Sequence, residues 1–150
     1  MIRFFNTLGG KVEDFHSITN GEVLLYTCGP TVYDYPHIGN YRAYMFEDLL
    51  KRFLLYSGYK VTHVMNITDV DDKTMMGAQQ ADVTLQEYTQ KYIDSFFEDL
   101  DTLNISRADF YPRATEFVFE MAAMVKGLQE KGYAYEKDGS YYFDISKFKD

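Results

Sequence analysis

Two short apolar segments flank one amphipathic segment between residues 23 and 66. Val23 to Cys28 is a nearly continuous apolar run bounded by turn residues, which is typical of a strand buried on both faces in a parallel sheet. Helical periodicity follows from about Gly39 to Ser57, and Tyr59 to Asn66 is rich in β-branched residues. A strand, a helix and a strand in succession predict a β-α-β unit, whose parallel strands place any ligand at their carboxyl ends. We therefore expect an α/β fold.

The helix predicted after the first strand is amphipathic. Its apolar residues recur at i, i+3, i+4 and i+7, as Phe46, Leu49, Leu50 and Phe53. Two i, i+4 ion pairs, Glu47 with Lys51 and Asp48 with Arg52, are expected on the opposite face. Gly58 then ends the helix as a C-terminal cap.

Turn and cap signals place the remaining elements. They predict a hairpin over residues 2 to 15, a capped helix from Thr84, a helix over about residues 115 to 131 after Pro112, and a hairpin about Asp138-Gly139. Most Tyr and Phe residues sit at helical spacing, which favours core packing over base stacking. Tyr33 and Tyr35 are exceptions, because they lie in the loop before the first helix.

Composition excludes several classes of protein. With 150 residues, 46% of them hydrophobic and 17% aromatic, the chain is long and apolar enough for a globular domain. No run approaches the roughly 18 consecutive apolar residues of a membrane span, and the first residues do not resemble a secretory signal. The single cysteine excludes an intramolecular disulfide and favours a reducing cytoplasm.

The loop from Cys28 to Asn40 is rich in Pro and Gly and leads into the first helix. The first turn of a helix has unpaired backbone N–H groups and the positive end of the helix dipole, so a phosphate chain can bind there. Gly39 allows close approach, and His37 and Asn40 add side-chain donors. Because Cys28 and the segment from Asn66 to Lys73 follow parallel strands, both motifs are expected at one crevice. An ordinary helix start with an Asn cap is the alternative for His37 to Asn40.

These motifs resemble those of a known family. Pro30 to Asn40, with Cys28 just upstream, resembles the signature of the cysteinyl-tRNA synthetases, class I enzymes whose His-Ile-Gly-His-type motif binds ATP. Asn66 to Lys73 resembles the second landmark of that family. Pro112 to Glu116, followed by Lys131 to Tyr135, resembles its entry into the insertion between two catalytic half-folds. The likeness covers nearly all of the chain, with the landmarks in the expected order.

The resemblance implies a nucleotide site at the loop. His37, Gly39 and Asn40 would bind ATP, and His37 and Asn40 would be catalytic through contacts with the phosphates in the transition state. Gly39 would leave space for the adenine or the ribose. The carboxylate of cysteine would attack the α-phosphorus in line, and magnesium pyrophosphate would leave, which is chemistry that depends on positioning and charge stabilisation.

The resemblance also implies a site for the amino acid and for a metal. Cys28 would be a zinc ligand, and the zinc would bind the thiolate of L-cysteine and so distinguish it from serine. Thr68, together with Gly29 and Thr31, would line the amino-acid pocket, with turn geometry as the alternative role for Gly29 and Thr31. The other zinc ligands of the family, and its Lys-Met-Ser-Lys-Ser loop, are expected beyond residue 150.

Three carboxylates, Asp69, Asp71 and Asp72, follow Thr68 closely. Clustered carboxylates suggest magnesium. A solvated loop in which an aspartate caps the next helix is the alternative. We assign no metal to these aspartates.

The resemblance divides the chain in two. Residues 1–111 would form the first half of a Rossmann-type catalytic domain with an N-terminal hairpin, and residues 112–150 would begin a connective-peptide insertion. The whole enzyme would activate L-cysteine with ATP and transfer it to tRNA(Cys). We expect the isolated 150 residues to be inactive and to retain zinc weakly. A cysteine ligase of mycothiol biosynthesis and a non-catalytic nucleotide-binding module are the alternatives; methionyl-tRNA synthetases fit the first motif less well.

The net charge of −8 fits poorly with nucleic-acid binding, because it leaves no domain-wide basic surface. Two explanations are open. The tRNA contacts lie mostly outside these residues, or a small local patch contacts the acceptor end of the tRNA. That patch would consist of the basic residues Arg42, Lys51, Arg52, Lys73 and Arg113.

Overall fold

The computed structural model describes residues 2–148. The elements follow in the order β1 (Arg3–Asn6), β2 (Lys11–Asp14), β3 (Glu22–Thr27), α1 (Ile38–Tyr56), β4 (Lys60–Met65), α2 (Asp72–Ala81), α3 (Leu85–Thr102), a short 3-10 helix (Ala114–Phe117), α4 (Val118–Glu130), β5 (Ala134–Lys137), β6 (Ser140–Phe143) and a second 3-10 helix (Ile145–Lys147). The predicted hairpins are present as the antiparallel pairs β1–β2 and β5–β6.

The predicted β-α-β unit is confirmed. β3 and β4 pair in parallel, in a register that runs from Glu22 opposite Lys60 to Thr27 opposite Met65. Isolated parallel bridges continue this arrangement beyond the strands, from Thr31 to Thr68 on one side and from Ile67 to Arg113 on the other. The loop after β3, the loop after β4 and the segment before α4 therefore meet at the carboxyl ends of the strands.

The prediction that β3 is buried on both faces was wrong. Val23 and Thr27 are buried, whereas Leu24 is 85% exposed and Tyr26 is 63% exposed. Alternate residues of a strand point to opposite faces, so one face of β3 is covered and the other is open among residues 2–148.

The predicted apolar stripe of α1 does not face the core. Phe46, Leu49 and Phe53 are exposed. The buried face instead carries Tyr41, Tyr44, Lys51 and Leu54. The aromatic rings of the buried tyrosines supply more apolar area than their hydroxyls remove, so a helix can bury a face that a simple polar and apolar pattern does not identify.

Of the two ion pairs predicted on α1, one is present. Arg52 Nε donates to Asp48 Oδ2 at 2.7 Å. Lys51 does not pair with Glu47; its Nζ donates to the backbone oxygen of Arg107 at 2.8 Å and lies 3.5 Å from Asp109 Oδ2. A buried ammonium requires acceptors at its own depth, and the loop after α3 provides them.

The core lies between α1, β4 and α3. One cluster of buried residues consists of Tyr41, Tyr44, Met65, Phe96, Leu100 and Ile105, and a second consists of Val32, Ile67, Tyr92 and Ile93. The Thr84 capping box is present: Glu87 N donates to Thr84 Oγ1 at 3.2 Å and Thr84 N donates to Glu87 Oε2 at 2.9 Å. Capping starts α3 so that its aromatic residues face α1 and β4, as their helical spacing predicts.

Candidate active site

A cavity of about 410 Å³ lies at the carboxyl end of β3. Its walls come from the loop after β3 and from the first turns of α1 and α2, through Gly29, Pro30, Thr31, Tyr33, Asp34, Tyr35, Pro36, His37, Asn40, Tyr44 and Lys73. The predicted site residues Gly29, Thr31, His37 and Asn40 thus share one cavity. The lining does not include Cys28, Gly39 or Thr68. Cys28 precedes the lining residue Gly29, Gly39 precedes Asn40, and Thr68 is bridged to Thr31.

The loop after β3 is hydrogen-bonded to the loop after β4. Val32 N donates to Thr68 O at 3.1 Å, and Thr68 N donates to Pro30 O at 3.0 Å. A Cβ atom at Gly29 would collide with the backbone oxygen of Asn66, so only glycine allows the two loops to approach this closely. Gly29 therefore allows close packing of the two loops, which differs from the turn geometry given as its alternative role.

Asn66 links the two loops through its side chain. Its Oδ1 accepts from Tyr26 Oη at 2.9 Å and from Gly29 N at 3.3 Å, while its Nδ2 donates to Thr68 Oγ1 at 3.1 Å. The Thr68 hydroxyl keeps its own proton to donate, because it acts as acceptor toward Asn66. Asn66 was not singled out in the sequence as a site residue, although it is the first residue of the second motif.

His37 and Asn40 cap α1 reciprocally. His37 Nδ1 accepts from Gly39 N at 3.0 Å, and Asn40 Oδ1 accepts from His37 N at 3.0 Å. A Cβ at Gly39 would lie 2.7 Å from His37 Cε1, so glycine is required for the histidine ring to fold over the helix end. The alternative interpretation of this motif as a helix start is therefore confirmed, but the capping residue is His37, and Asn40 is the third residue of the helix.

The cap also decides which donors face a ligand. Because Nδ1 of His37 accepts a hydrogen bond, the proton of the neutral ring is on Nε2, which becomes a donor. The amide nitrogen of Asn40 is likewise left to donate, since only its oxygen is used in the cap. The backbone N–H groups of Gly39 and Asn40 are already bonded to His37. An anion here would therefore be bound by side chains more than by the helix backbone.

Cys28 is an exposed free thiol next to Gly29. Between residues 2 and 148, no three His, Cys, Asp or Glu side chains are close enough to bind a metal ion together. Zinc in proteins takes about four ligands. Cys28 fits a zinc site only as one ligand among others that come from outside the described residues.

Two of the carboxylates after Thr68 have structural roles: one caps a helix, and the other forms hydrogen bonds to a distant segment. Asp71 caps α2, with Thr74 N donating to its Oδ1 at 2.8 Å. Asp69 is buried and accepts from both Thr115 N at 2.9 Å and Thr115 Oγ1 at 2.6 Å. The capping alternative is confirmed for Asp71, and Asp69 connects the loop after β4 to the chain that precedes α4.

Lys73 and Tyr44 also line the cavity. Lys73 ends the second motif, which was expected at this crevice, whereas the sequence analysis did not name Tyr44. Lys73 Nζ lies 4.4 Å from the ring centroid of Tyr33, which places a cation over an aromatic face. Tyr44 lies one helical turn after Asn40 on α1, and this i+4 spacing was the signal that could have found it. Tyr33 and Tyr35, which the sequence analysis set apart from the aromatic residues of the core, both line the cavity.

A buried polar network supports the end of β3. Thr27 Oγ1 lies 2.9 Å from His63 Nε2, and His63 is 2% exposed. Burial, followed by the charge of Lys51, lowers the pKa of His63, so the ring is neutral at neutral pH. Asp109 Oδ2 accepts from His63 N at 2.7 Å. These contacts hold Thr27, the residue just before Cys28.

The five basic residues considered for an acceptor-end patch do not form one surface. Lys51 is buried, Arg52 pairs with Asp48, and Arg113 Nη1 donates to Gln90 Oε1 at 3.2 Å. The prediction of a local basic patch that includes Lys51 is therefore wrong, because the ammonium group of Lys51 is buried and bonded within the protein. Lys73 is the member of this set that lines the cavity.

Comparisons with known proteins agree with this geometry. Residues 14–150 match the family model of the tRNA synthetases class I (C) catalytic domain. The chain is 58% identical over 146 residues to a cysteine–tRNA ligase of Chlamydia pneumoniae, covering 97% of this chain and 31% of that protein. It is 52% identical over 150 residues to a cysteine–tRNA ligase of Methanosarcina mazei, covering 100% of this chain and 32% of that protein. The chain thus spans less than a third of the length of these relatives.

Solved structures share the fold at low sequence identity. A LeuRS of Agrobacterium radiobacter, in a ternary complex with tRNA and LeuAMS, is similar with a TM-score of 0.68 at 23% identity, over 83% of this chain and 17% of that one. A methionyl-tRNA synthetase of Mycobacterium tuberculosis, in complex with methionyl-adenylate, has a TM-score of 0.64 at 18% identity, over 81% and 28% of the two chains. No helix within residues 2–148 is long and apolar enough to cross a membrane. The match over residues 14–150 shows that this chain belongs to the family of class I (C) tRNA synthetase catalytic domains.

Proposed function

We propose that the protein carrying this chain activates L-cysteine with ATP and transfers it to tRNA(Cys). The observation that supports this most directly is the shared cavity, in which the two sequence motifs meet with His37 and Asn40 at one wall. The high identity to proteins named cysteine–tRNA ligase supports the choice of amino acid. On this proposal, residues 1–111 are the first half of a Rossmann-type domain and residues 112–150 begin a connective-peptide insertion.

The activation step requires charge stabilisation and no protein nucleophile. A carboxylate oxygen of cysteine attacks the α-phosphorus of ATP, the bond from that phosphorus to the bridging oxygen breaks, and pyrophosphate leaves with magnesium. Nε2 of His37 and the amide nitrogen of Asn40 can donate hydrogen bonds to the phosphate oxygens. These bonds would stabilise the negative charge that develops there in the transition state. Because the reciprocal cap orients both side chains before the reaction, little reorganisation is needed when the charge moves.

The amino acid would lie between the loops after β3 and β4. Gly29 and Thr31 line the cavity, and the Thr68 hydroxyl has a proton to donate beside them. Cys28, with ligands from outside the described residues, would hold a zinc ion that supplies selective recognition of a thiolate. Discrimination of about 10⁴ between cysteine and serine corresponds to about 5.5 kcal/mol, which a difference in cavity size hardly provides for such similar side chains.

Cysteine-dependent ATP–pyrophosphate exchange by the natural full-length protein tests this proposal. We expect exchange with L-cysteine and the formation of cysteinyl-tRNA, and no product from glucosaminyl-inositol. A product from the amino sugar without cysteinyl-tRNA would instead identify the mycothiol ligase. Absence of any cysteine-dependent exchange would contradict both activities and favour a non-catalytic module.

Two variants at His37 separate its cap from its chemistry. His37→Ala is expected to lower the exchange rate about 10²- to 10³-fold, as the loss of one charge-stabilising donor does in other enzymes. His37→Asn places a good capping residue at the same position, so it should keep the thermal stability that His37→Ala loses. Its exchange rate should still be low; recovery of the wild-type rate would mean that His37 acts only as a cap.

A further inference from the structure

A row of tyrosine rings runs from the cavity to the first half of α3. Tyr33 and Tyr35 line the cavity, and Tyr35 meets Tyr92 edge to face with ring centroids 5.0 Å apart. Tyr92 meets Tyr88 in the same way at 5.3 Å. The Tyr88 hydroxyl donates to the backbone oxygen of Tyr33 at 2.9 Å. These four residues, which we call the tyrosine surface, are therefore connected from the cavity wall outward.

Two exposed lysines lie over these rings. Lys73 Nζ is 4.4 Å from the ring centroid of Tyr33. Lys91 Nζ is 4.9 Å from the ring centroid of Tyr88 and 4.5 Å from that of Tyr92. An ammonium over an aromatic face is attracted by the quadrupole of the ring, so each long side chain is directed to one place. Two positive charges are thus held on the tyrosine surface.

Carboxylates of the described chain do not neutralise these two charges. Neither Lys73 nor Lys91 forms an ion pair within residues 2–148. Glu87 and Asp94 lie within one turn of Lys91 on α3, but both are bonded elsewhere. Glu87 Oε2 accepts at the N-terminal cap of α3, and Asp94 Oδ1 accepts from Gln90 Nε2 at 2.7 Å. In a chain with a net charge of −8, this surface is therefore a local site for an anion.

The packing of α2 against α3 holds the tyrosine surface in position. A Cβ atom at Gly77 on α2 would lie 2.3 Å from the Tyr88 hydroxyl, so glycine is needed to admit that ring. Tyr92 is 8% exposed and belongs to the second core cluster, whereas Tyr35 is 62% exposed. Buried rings thus support an exposed ring and two exposed charges, which are in place before a ligand binds.

A single strand of nucleic acid is the ligand that uses both features of this surface. Its bases stack on exposed aromatic rings, and its phosphates bind ammonium groups. Lys91 is outside the cavity lining, so a nucleotide confined to the cavity would not reach all of the surface. The proposed transfer step requires such a strand, because the terminal ribose of tRNA must reach the activated amino acid. The unpaired nucleotides before that ribose must then cross the rim of the cavity.

We propose that the tyrosine surface, together with Lys73 and Lys91, binds the unpaired 3′ nucleotides of tRNA. Tyr35 stacks on a base, and the two ammonium groups bind phosphates of the strand. This inference rests on the proposed function, because it takes tRNA as the second substrate. Of the basic residues considered from the sequence for an acceptor-end patch, Lys73 takes part, and its partner is Lys91 on α3.

The test is binding of tRNA(Cys) by Lys91→Gln in the natural full-length protein, with Lys60→Gln as the matched control. Both variants lose one exposed charge, but Lys60 lies at the amino end of β4, opposite the cavity. Lys91→Gln should lower the slope of log affinity against log salt concentration by about 0.7, as expected for one lost phosphate contact in a single strand. That slope amounts to about fivefold in affinity for each tenfold change in salt. Lys60→Gln should keep the wild-type slope.

The same variants separate tRNA binding from activation. Lys91→Gln should keep the wild-type rate of cysteine-dependent ATP–pyrophosphate exchange, because that reaction does not use tRNA. Lys91→Arg keeps the charge and should bind tRNA like the wild type. A slower exchange in Lys91→Gln would overturn the inference, because the charge would then serve the activation step.

A tRNA(Cys) that lacks its unpaired 3′ nucleotides locates the contact. Wild type and Lys91→Gln should bind this truncated tRNA equally, because the contact is then absent from both complexes. Tyr35→Leu should likewise weaken the binding of intact tRNA and leave that of truncated tRNA unchanged. In the wild type, 2-aminopurine placed in the unpaired 3′ segment should lose fluorescence on binding, because the base stacks on an aromatic ring. The loss should be smaller in Tyr35→Leu.

The outcomes distinguish this inference from the function on which it rests. A wild-type protein that forms no cysteinyl-tRNA would contradict the proposed function, and the role of the tyrosine surface would be lost with it. An active wild type whose Lys91→Gln variant binds intact tRNA with unchanged affinity and salt slope would overturn the inference alone. Equal weakening toward intact and truncated tRNA would also overturn it, because Lys91 would then contact the paired body of the tRNA.

Discussion

Residues 2–113 and residues 114–148 both contain many apolar side chains, but the described residues that are fully buried all lie in the first region, between Val23 and Ile105. In the second region, α4 and the β5–β6 hairpin form as predicted, yet Phe119, Met124 and Ile145 are exposed. Local signals suffice to form a helix or a hairpin. Burial requires several elements to meet, which happens in the first region because α1 and α3 pack beside β4.

The second region is nonetheless attached to the first at defined points. Ala114 N donates to Ile67 O at 3.0 Å, and Asp69 accepts two hydrogen bonds from Thr115. These bonds extend from the loop after β4, which also forms the cavity through Thr68. The entry to the second region is therefore tied directly to the candidate active site.

The largest expected effect contrasts two phenylalanines, one from each region. Phe96 is 0% exposed and Phe119 is 88% exposed. Phe96→Ala should lower the free energy of unfolding by about 3–5 kcal/mol through lost burial and a cavity. Phe119→Ala should change it by less than about 0.5 kcal/mol. Urea unfolding of both variants measures the difference, and similar losses would mean that the second region has a core as costly to disrupt as the first.

An intermediate effect is expected where the two regions join. Asp69→Ala removes both hydrogen bonds from Thr115 and should cost about 1–3 kcal/mol, because each hydrogen bond contributes about 0.5–1.5 kcal/mol. Hydrogen exchange should increase in residues 114–148 and remain low in β4. Asp69→Asn keeps the shape and one acceptor, so it should lose less. Uniform loss of protection across both regions would contradict a local connection.

The smallest expected effect is on acid stability and compares Asp109 with Asp144. The hydrogen bond from His63 N lowers the pKa of Asp109, with Lys51 adding to the shift, and a hydrogen bond from Ser146 lowers the pKa of half-buried Asp144. A lowered pKa in the folded state stabilises the fold above the ordinary pKa of an aspartate, about 3.9, and this contribution is lost as the pH falls below it.

Because Asp109 is about half exposed, its contribution should be only a few tenths of a kcal/mol after solvent screening. Urea midpoints measured from pH 6 to pH 3 should therefore fall slightly less steeply in Asp109→Asn than in the wild type. Asp144→Asn should follow the wild type closely. A larger change in Asp144→Asn would show that the second region depends on ionic contacts more than its exposure indicates.

The candidate site could be predicted from the sequence to the extent that its residues lie in local motifs. The cap formed by His37 and Asn40 is a short-range signal, and Gly29 and Thr31 follow directly from a predicted strand. Lys73 ends the second motif, which was expected at the same crevice. The i+4 spacing from Asn40 was a local signal for Tyr44, but its presence in the cavity also depends on how α1 sits beside the loop after β3. The roles of Cys28 and Thr68 in binding remain predictions.

The sequence by itself indicated the caps and the turns, because each depends on residues within a few positions of one another. The parallel pairing of β3 and β4 joins residues 38 positions apart, such as Glu22 and Lys60, and was predicted from the order strand, helix, strand. Only the tertiary structure decided which face of α1 is buried, that Lys51 turns to Asp109 instead of Glu47, and that Tyr41 bonds to Asp99 while Tyr44 faces the cavity. These choices join residues whose separation reaches 58 positions in the chain. Burial is a property of the assembled surfaces, so no local pattern contains it.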